Sequence, residues 1–104
     1  MSAEVLAKET VNVAYHLFRD IGPGLLESVY ETVLADSLSR RGFTVERQVA
    51  VPMVLGDQTF DVAFRADILV ERSLLIELKS VDTLLPVHGK QTMTYLRLLN
   101  LHLG

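Results

Sequence analysis

Apolar residues recur at helical intervals along the opening segment. Over residues 3–20, Val5, Leu6, Val13, Leu17 and Phe18 fall largely on one face, with Glu4, Lys8, Asn12 and Arg19 elsewhere. Steps of three and four residues bury one stripe of a helix, so this segment is expected to be helical. Ser2 is placed to cap its start. Gly22-Pro23-Gly24 then breaks the chain, because two glycines around a proline do not continue a helix. A second helix is expected over residues 25–41, burying Leu26, Val29, Tyr30, Val33, Leu34 and Leu38. Gly42 follows as a C-terminal glycine cap, with Arg40 and Arg41 suitably placed in the last turn.

The pattern changes after Gly42. Residues 43–55 are rich in β-branched side chains and partly alternate, which predicts a strand, bent near Pro52. Gly56-Asp57-Gln58 reads as a turn, residues 59–70 as a second strand, Glu71-Arg72-Ser73 as a tight turn and residues 74–80 as a third strand. A loop beginning at Val81 leads to a last helix over residues 87–100, with Met93, Tyr95, Leu96 and Leu99 facing inward. The expected order is α-α-β-β-β-α in one domain spanning residues 1–104. The class is α/β in the α+β sense, with a small mixed or antiparallel three-stranded sheet flanked by helices.

Composition narrows the function classes. The chain is 49% hydrophobic and 22% charged, the balance of a compact protein rather than a disordered one. It has no cysteine, which excludes disulfides, thiolate nucleophiles and cysteine metal sites. The opening residues lack the basic start and continuous apolar run of a signal peptide, and no apolar run is long enough to span a membrane. A cytoplasmic protein is expected. The formal net charge of −3 argues against tight nonspecific nucleic-acid binding, though not against a carboxylate cluster whose charge a metal offsets.

The candidate chemistry lies in the second hairpin, where Asp67, Glu77 and Lys79 interrupt otherwise apolar strands. If Val70 pairs with Leu74 across the tight turn, Asp67 stands opposite Glu77, with Cβ atoms roughly 5 Å apart. Glu77 and Lys79 are two residues apart and share a face of their strand. Two adjacent carboxylates repel, and a divalent cation between them converts repulsion into ligation; magnesium prefers such oxygen donors and keeps several waters. A lysine beside them can act on the attacking water or stabilise charge developing on a phosphate. The same three residue types also suit a solvated sheet face with exposed ion pairs of little energetic weight.

Asp67, nine intervening residues, then Glu77-Leu78-Lys79 resembles the core motif of the PD-(D/E)XK nuclease superfamily. Gly24 to Tyr30, GLLESVY, resembles the pattern that names the GxxExxY family. The Arg65-Ala66-Asp67 step, the IELKS run and His88-x-x-Gln91-x-x-x-Tyr95-Leu96 are similar to that family in the same order, so the likeness covers essentially the whole chain. It implies a restriction-endonuclease-like core and metal-dependent hydrolysis of nucleic-acid phosphodiesters by a metal-activated water, with DNA ahead of RNA as substrate. Asp67, Glu77 and Glu27 would then hold Mg²⁺ or Mn²⁺, and Lys79 would be the catalytic lysine. Gln91 and Tyr95, one helical turn apart, would contact substrate, and Arg65 would either neutralise a phosphate or pair with a nearby acid. Each has a plainer reading. Glu27 favours a helix start, Gln91 suits a surface and Tyr95 a core. His88 suits a helix cap, and His16 is read as structural.

Members of that family usually continue past the position of Gly104 into a further apolar strand. Its lack here is expected to mean either a truncated chain or a sheet edge that another subunit covers, giving a homodimer or larger assembly. The competing expectation is a non-catalytic nuclease-like binding module of a defence or repair system, favoured by the acidic charge and small size.

Overall fold

The computed structural model describes residues 1–104. The order is α1 (Ala3–Ile21), α2 (Glu27–Arg40), β1 (Val45–Leu55), β2 (Gln58–Val70), β3 (Leu74–Ile76) and α3 (Pro86–Leu99). The three strands form one antiparallel sheet in the order β1-β2-β3. The expected α-α-β-β-β-α order and mixed α+β class are those observed. No helix is long and apolar enough to cross a membrane.

The helix boundaries follow from local chemistry. The Ser2 hydroxyl accepts a hydrogen bond from the Val5 N–H at 3.3 Å and caps α1. Helix α1 stops at Gly22, whose φ of 86° a side chain would resist. At the end of α2, Gly42 takes a φ of 94°; its N–H bonds Ser39 O and that of Phe43 bonds Leu38 O. This paired arrangement satisfies carbonyls that the helix leaves open. Helix α3 begins at Pro86, and His88 Nδ1 accepts from the Leu85 N–H at 2.9 Å, the capping role considered for it.

Two apolar clusters sandwich the sheet. Leu6 and Val13 of α1 pack with Leu34 and Leu38 of α2 against Ile68, Val70 and Leu74. Leu96 of α3 packs with Ala66, Leu69 and Leu75. Adjacent strand residues such as Ile68 and Leu69, or Leu74 and Leu75, therefore serve opposite faces, as the pleat requires. The buried stripe of α2 differs from expectation. Leu26 is 73% exposed and Val29 is also exposed, while Glu31 is buried with Leu34, Ala35 and Leu38. Apolar periodicity alone misses this rotation because it gives no credit to a carboxylate neutralised inside. Met93 is likewise exposed, and Leu96 is the buried residue of α3.

The β2–β3 turn fixes the register on which the hairpin chemistry depends. Glu71 and Arg72 have φ of 53° and 52°, left-handed values that cost side-chain-bearing residues energy. Their side chains are tied in compensation: Glu71 accepts from the Thr44 N–H at 3.1 Å, and Arg72 bonds Glu46 at 2.6 Å. Val70 pairs with Leu74, Leu69 with Leu75 and Ile68 with Ile76. Strand β3 is shorter than the expected 74–80, ending at Ile76. The next available backbone donor, Leu78 N–H, bonds the Asp67 carboxylate at 2.9 Å, and a side-chain acceptor there takes the place of a ladder carbonyl. On the outer side of β3, the Leu75 N–H meets the Leu103 carbonyl at 3.3 Å. Beyond Val51 the β1–β2 register shifts at Pro52, and the outer hairpin carries exposed Val54, Leu55, Phe60 and Val62.

Candidate active site

A break in the pleat of β1 and β2 builds the site. Arg47 and Gln48 are consecutive, and in a regular strand they would point to opposite faces. Both instead reach Glu31 on α2. Gln48 has a φ of 51°, and this left-handed residue turns its side chain to the same side as its neighbour's. The partner strand changes phase at the same level: Ala66 belongs to the cluster under α3, while Ile68, two residues on, belongs to the cluster under α1 and α2. Arg47 pairs with Ile68 and Val49 with Ala66, so Gln48 stands opposite Asp67. Such backbone strain, on the order of 1–3 kcal/mol, persists where its surroundings over-determine it.

Those surroundings are a chain of polar contacts. Glu31 Oε2 accepts from Arg47 Nη2 at 2.7 Å and from Nε at 3.2 Å. Glu31 Oε1 accepts from Gln48 Nε2 at 2.6 Å, and Gln48 Nε2 also approaches Asp67 Oδ1 at 3.4 Å. The Glu31 side chain is 8% exposed, so its charge is tolerable only with these donors. Asp67 is thus held from two sides, by Gln48 on Oδ1 and by the Leu78 N–H on Oδ2.

The hairpin register places Glu77 opposite Asp67, just past the end of β3. Glu77 is half-buried, and its Oε1 is a buried atom with no hydrogen-bond partner. Burial raises the Glu77 carboxyl to about 8. The neighbouring Asp67 carboxylate adds to the rise, while the Asp67 backbone and then the Lys79 charge offset part of it. The site therefore favours the protonated form of Glu77.

A cleft of about 280 Å³ lies in front of Asp67. Glu27, Glu31, Gln48, Asp67 and Lys79 supply its polar wall, and Glu77 is not part of its lining. The structure thus brings Glu27, Asp67 and Lys79 together in one cleft, with Glu77 next to Asp67. The other expected site residues lie apart from it. Tyr95 stacks on Phe64 at 3.9 Å between ring centroids, and Gln91 is exposed on α3. Arg65 is exposed on β2 opposite Ala50 and makes no ion pair. Sequence reasoning passed over Glu31 and Gln48. Glu31 is one turn from Glu27, so the acidic face of α2 was readable; the pleat break that delivers Gln48 was not.

No three His, Cys, Asp or Glu side chains are grouped to hold a metal ion. The two adjacent carboxylates do fit a hard cation that takes one or two protein oxygens and keeps its waters. The partnerless Glu77 oxygen is the observation that supports this fit.

A model of the PD-(D/E)XK nuclease superfamily matches residues 4–104. Neither a curated protein nor a solved structure matches the chain.

Two outcomes follow from the electrostatics. The folded protein keeps the Glu77 proton to about pH 8, where the unfolded chain has already lost it. The contribution of Glu77 to stability is therefore fully present below the ordinary carboxylate range and is lost as pH rises through the folded value. In EDTA, the melting temperature is expected to drop between about pH 5 and about pH 9, and Glu77→Gln should flatten that slope. Arg47→Met leaves the Glu31 charge buried with only Gln48 beside it. Urea unfolding should show a loss of about 3 kcal/mol, the low end for a broken buried pair because Arg47 itself is partly exposed.

Proposed function

Because the chain belongs to the PD-(D/E)XK nuclease superfamily, we propose that it hydrolyses phosphodiester bonds of nucleic acid with the help of a divalent cation. One observation carries the reading: Glu27, Asp67 and Lys79 line a single cleft, and a partnerless Glu77 oxygen lies beside Asp67. Asp67 and Glu77 would hold Mg²⁺ or Mn²⁺, both of which suit carboxylate oxygens. When bound, such a cation supplies Lewis-acid charge to the phosphate and makes water more acidic.

The remaining roles fall to the chain's own groups. Lys79 carries the one cationic group of a cleft whose polar wall includes three carboxylates, where it can face a phosphate oxygen as negative charge develops. Glu27 stands at the first turn of α2, within the same cleft, as a carboxylate able to accept a proton from water or to complete the cation's oxygen set. Gln48 and the Leu78 N–H fix the direction of the Asp67 carboxylate, so that the oxygen donors are oriented before substrate arrives. The geometry fits water as the nucleophile, since the cleft contains no thiol, and the hydroxyl lining it, Ser28, has no histidine beside it. A second copy pairing along the outer edge of β3 belongs to the same reading. That edge has no strand beyond it, and Leu103 alone supplies a hydrogen bond along it.

The test is cleavage of labelled single- and double-stranded DNA, then RNA, in Mg²⁺ or Mn²⁺. Lys79→Ala is expected to lower the rate by about 100-fold or more while leaving the fold intact, since the side chain is exposed. Cleavage that survives this substitution unchanged contradicts the assignment. Metal-independent association with a partner protein, indifferent to Asp67→Asn, would instead support a non-catalytic module.

A further inference from the structure

Beside the catalytic cleft lies a larger cavity of about 600 Å³. It opens between the Gly22–Gly24 break and the segment that follows β3, and Glu27, Leu78 and Lys79 belong to both spaces. Its remaining wall is mostly apolar and aromatic, from Phe18, Pro23, Tyr30 and Val81, with Asp82 supplying a carboxylate.

Hydrogen bonds and a ring contact tie the walls of this cavity together. The Tyr30 hydroxyl donates to Gly22 O at 2.7 Å and accepts from the Leu25 N–H at 3.1 Å. Ser80 Oγ donates to Leu25 O at 3.0 Å, which ties the two walls together. Phe18 packs edge-on against Tyr30 at 5.2 Å between centroids. A preformed, mainly apolar cavity of this size is what a small-molecule site offers.

We propose that this cavity holds the nucleobase next to the phosphate that is cleaved, so the substrate is single-stranded or presents an extruded nucleotide. The proposal rests on the phosphodiesterase reading of the adjoining cleft. Three considerations converge on a base. The cavity and the cleft share Glu27, Leu78 and Lys79, so the two spaces adjoin, and a base is the group a nucleotide carries beside its phosphate. The aromatic and apolar wall suits the π-face that every base presents. The Asp82 carboxylate has only acceptor capacity, which suits the ring N–H and exocyclic amino donors of a base.

Charge favours the same conclusion. Duplex binding draws its affinity from many lysine and arginine contacts to phosphate, whereas this chain has a net charge of −3 and a carboxylate-lined cleft. A base pocket supplies affinity that the electrostatics withhold. A base stacked in a duplex cannot enter it, so the pocket selects for unpaired nucleotides.

The experiment is calorimetric titration of nucleoside 5′-monophosphates and of ribose 5-phosphate, in Mg²⁺, into the wild-type chain. The nucleotides should bind about tenfold or more tightly than the baseless sugar phosphate, the lower range of a stacked base. Val81→Trp, at a half-exposed loop position, should fill the cavity and erase that difference while leaving ribose 5-phosphate unchanged. Asp82→Ala gives an independent check, lowering the affinity for guanosine 5′-monophosphate but not for the sugar phosphate. Equal affinities for nucleotide and sugar phosphate, no saturable nucleotide binding, or indifference to both substitutions would overturn the proposal. Binding needs no cleavage, so the two readings fail separately. Base discrimination without any nuclease activity would remove the phosphodiesterase reading, and cleavage without base discrimination would remove only the pocket.

Discussion

Two carboxylates set side by side where water is scarce cannot both keep their charge unless something positive stands between them. The centre of this molecule is arranged around that constraint. The β2–β3 register puts Glu77 against Asp67, and burial then leaves Glu77 holding a proton that an exposed glutamate would have released. Desolvating an ion costs several kcal/mol even in a relaxed protein site. In the proposed reading, a divalent cation would displace the proton and satisfy both oxygens, which would give the arrangement a use.

Everything near the pair serves to hold it in place. The turn at Glu71 and Arg72 is left-handed at both residues and is anchored by Thr44 and Glu46 of the neighbouring segment, which keeps the register from slipping. A slip of one residue would send Glu77 to the opposite face. On the other side, Glu31 is buried to anchor Gln48, and Gln48 in turn meets Asp67. Arg47 neutralises the Glu31 charge, so the anchor does not add a third uncompensated carboxylate to the site. The pleat break at Gln48 and Asp67 is the structural device that brings a β-strand carboxylate to face helix α2.

The legible part of this arrangement came from periodicity, from spacing and, for the role of Glu27, from the family resemblance. Helical stripes, the Gly22-Pro23-Gly24 break, the glycine after α2 and the tight turn fixed six elements and their order, and the turn predicted the pairing of Val70 with Leu74. The motif residues Asp67, Glu77 and Lys79, together with Glu27, fall within one neighbourhood. What stayed hidden was everything that departs from regular geometry. Glu31 sits on a stripe that hydrophobicity assigns to Leu26 and Val29, because a neutralised carboxylate can be buried where a pattern expects an aliphatic side chain. Gln48 lies on a strand whose phase changes within one residue, and alternation gives no warning of that. The third strand ends early because the Asp67 side chain captures a backbone N–H, a competition that strand propensity does not register. Tyr95 shares a helix face with Gln91, as expected, but its ring is spent on Phe64.

The central claim is that Asp67 and Glu77 form a cation site, and it is tested most directly by titrating Mn²⁺ into the wild-type chain and into Asp67→Asn by calorimetry. This needs no assumption about substrate. The account predicts saturable binding in the wild type, accompanied by proton release near neutral pH as Glu77 gives up its proton, and loss of both in Asp67→Asn. Binding of equal strength in the two proteins would place the cation elsewhere and contradict the account.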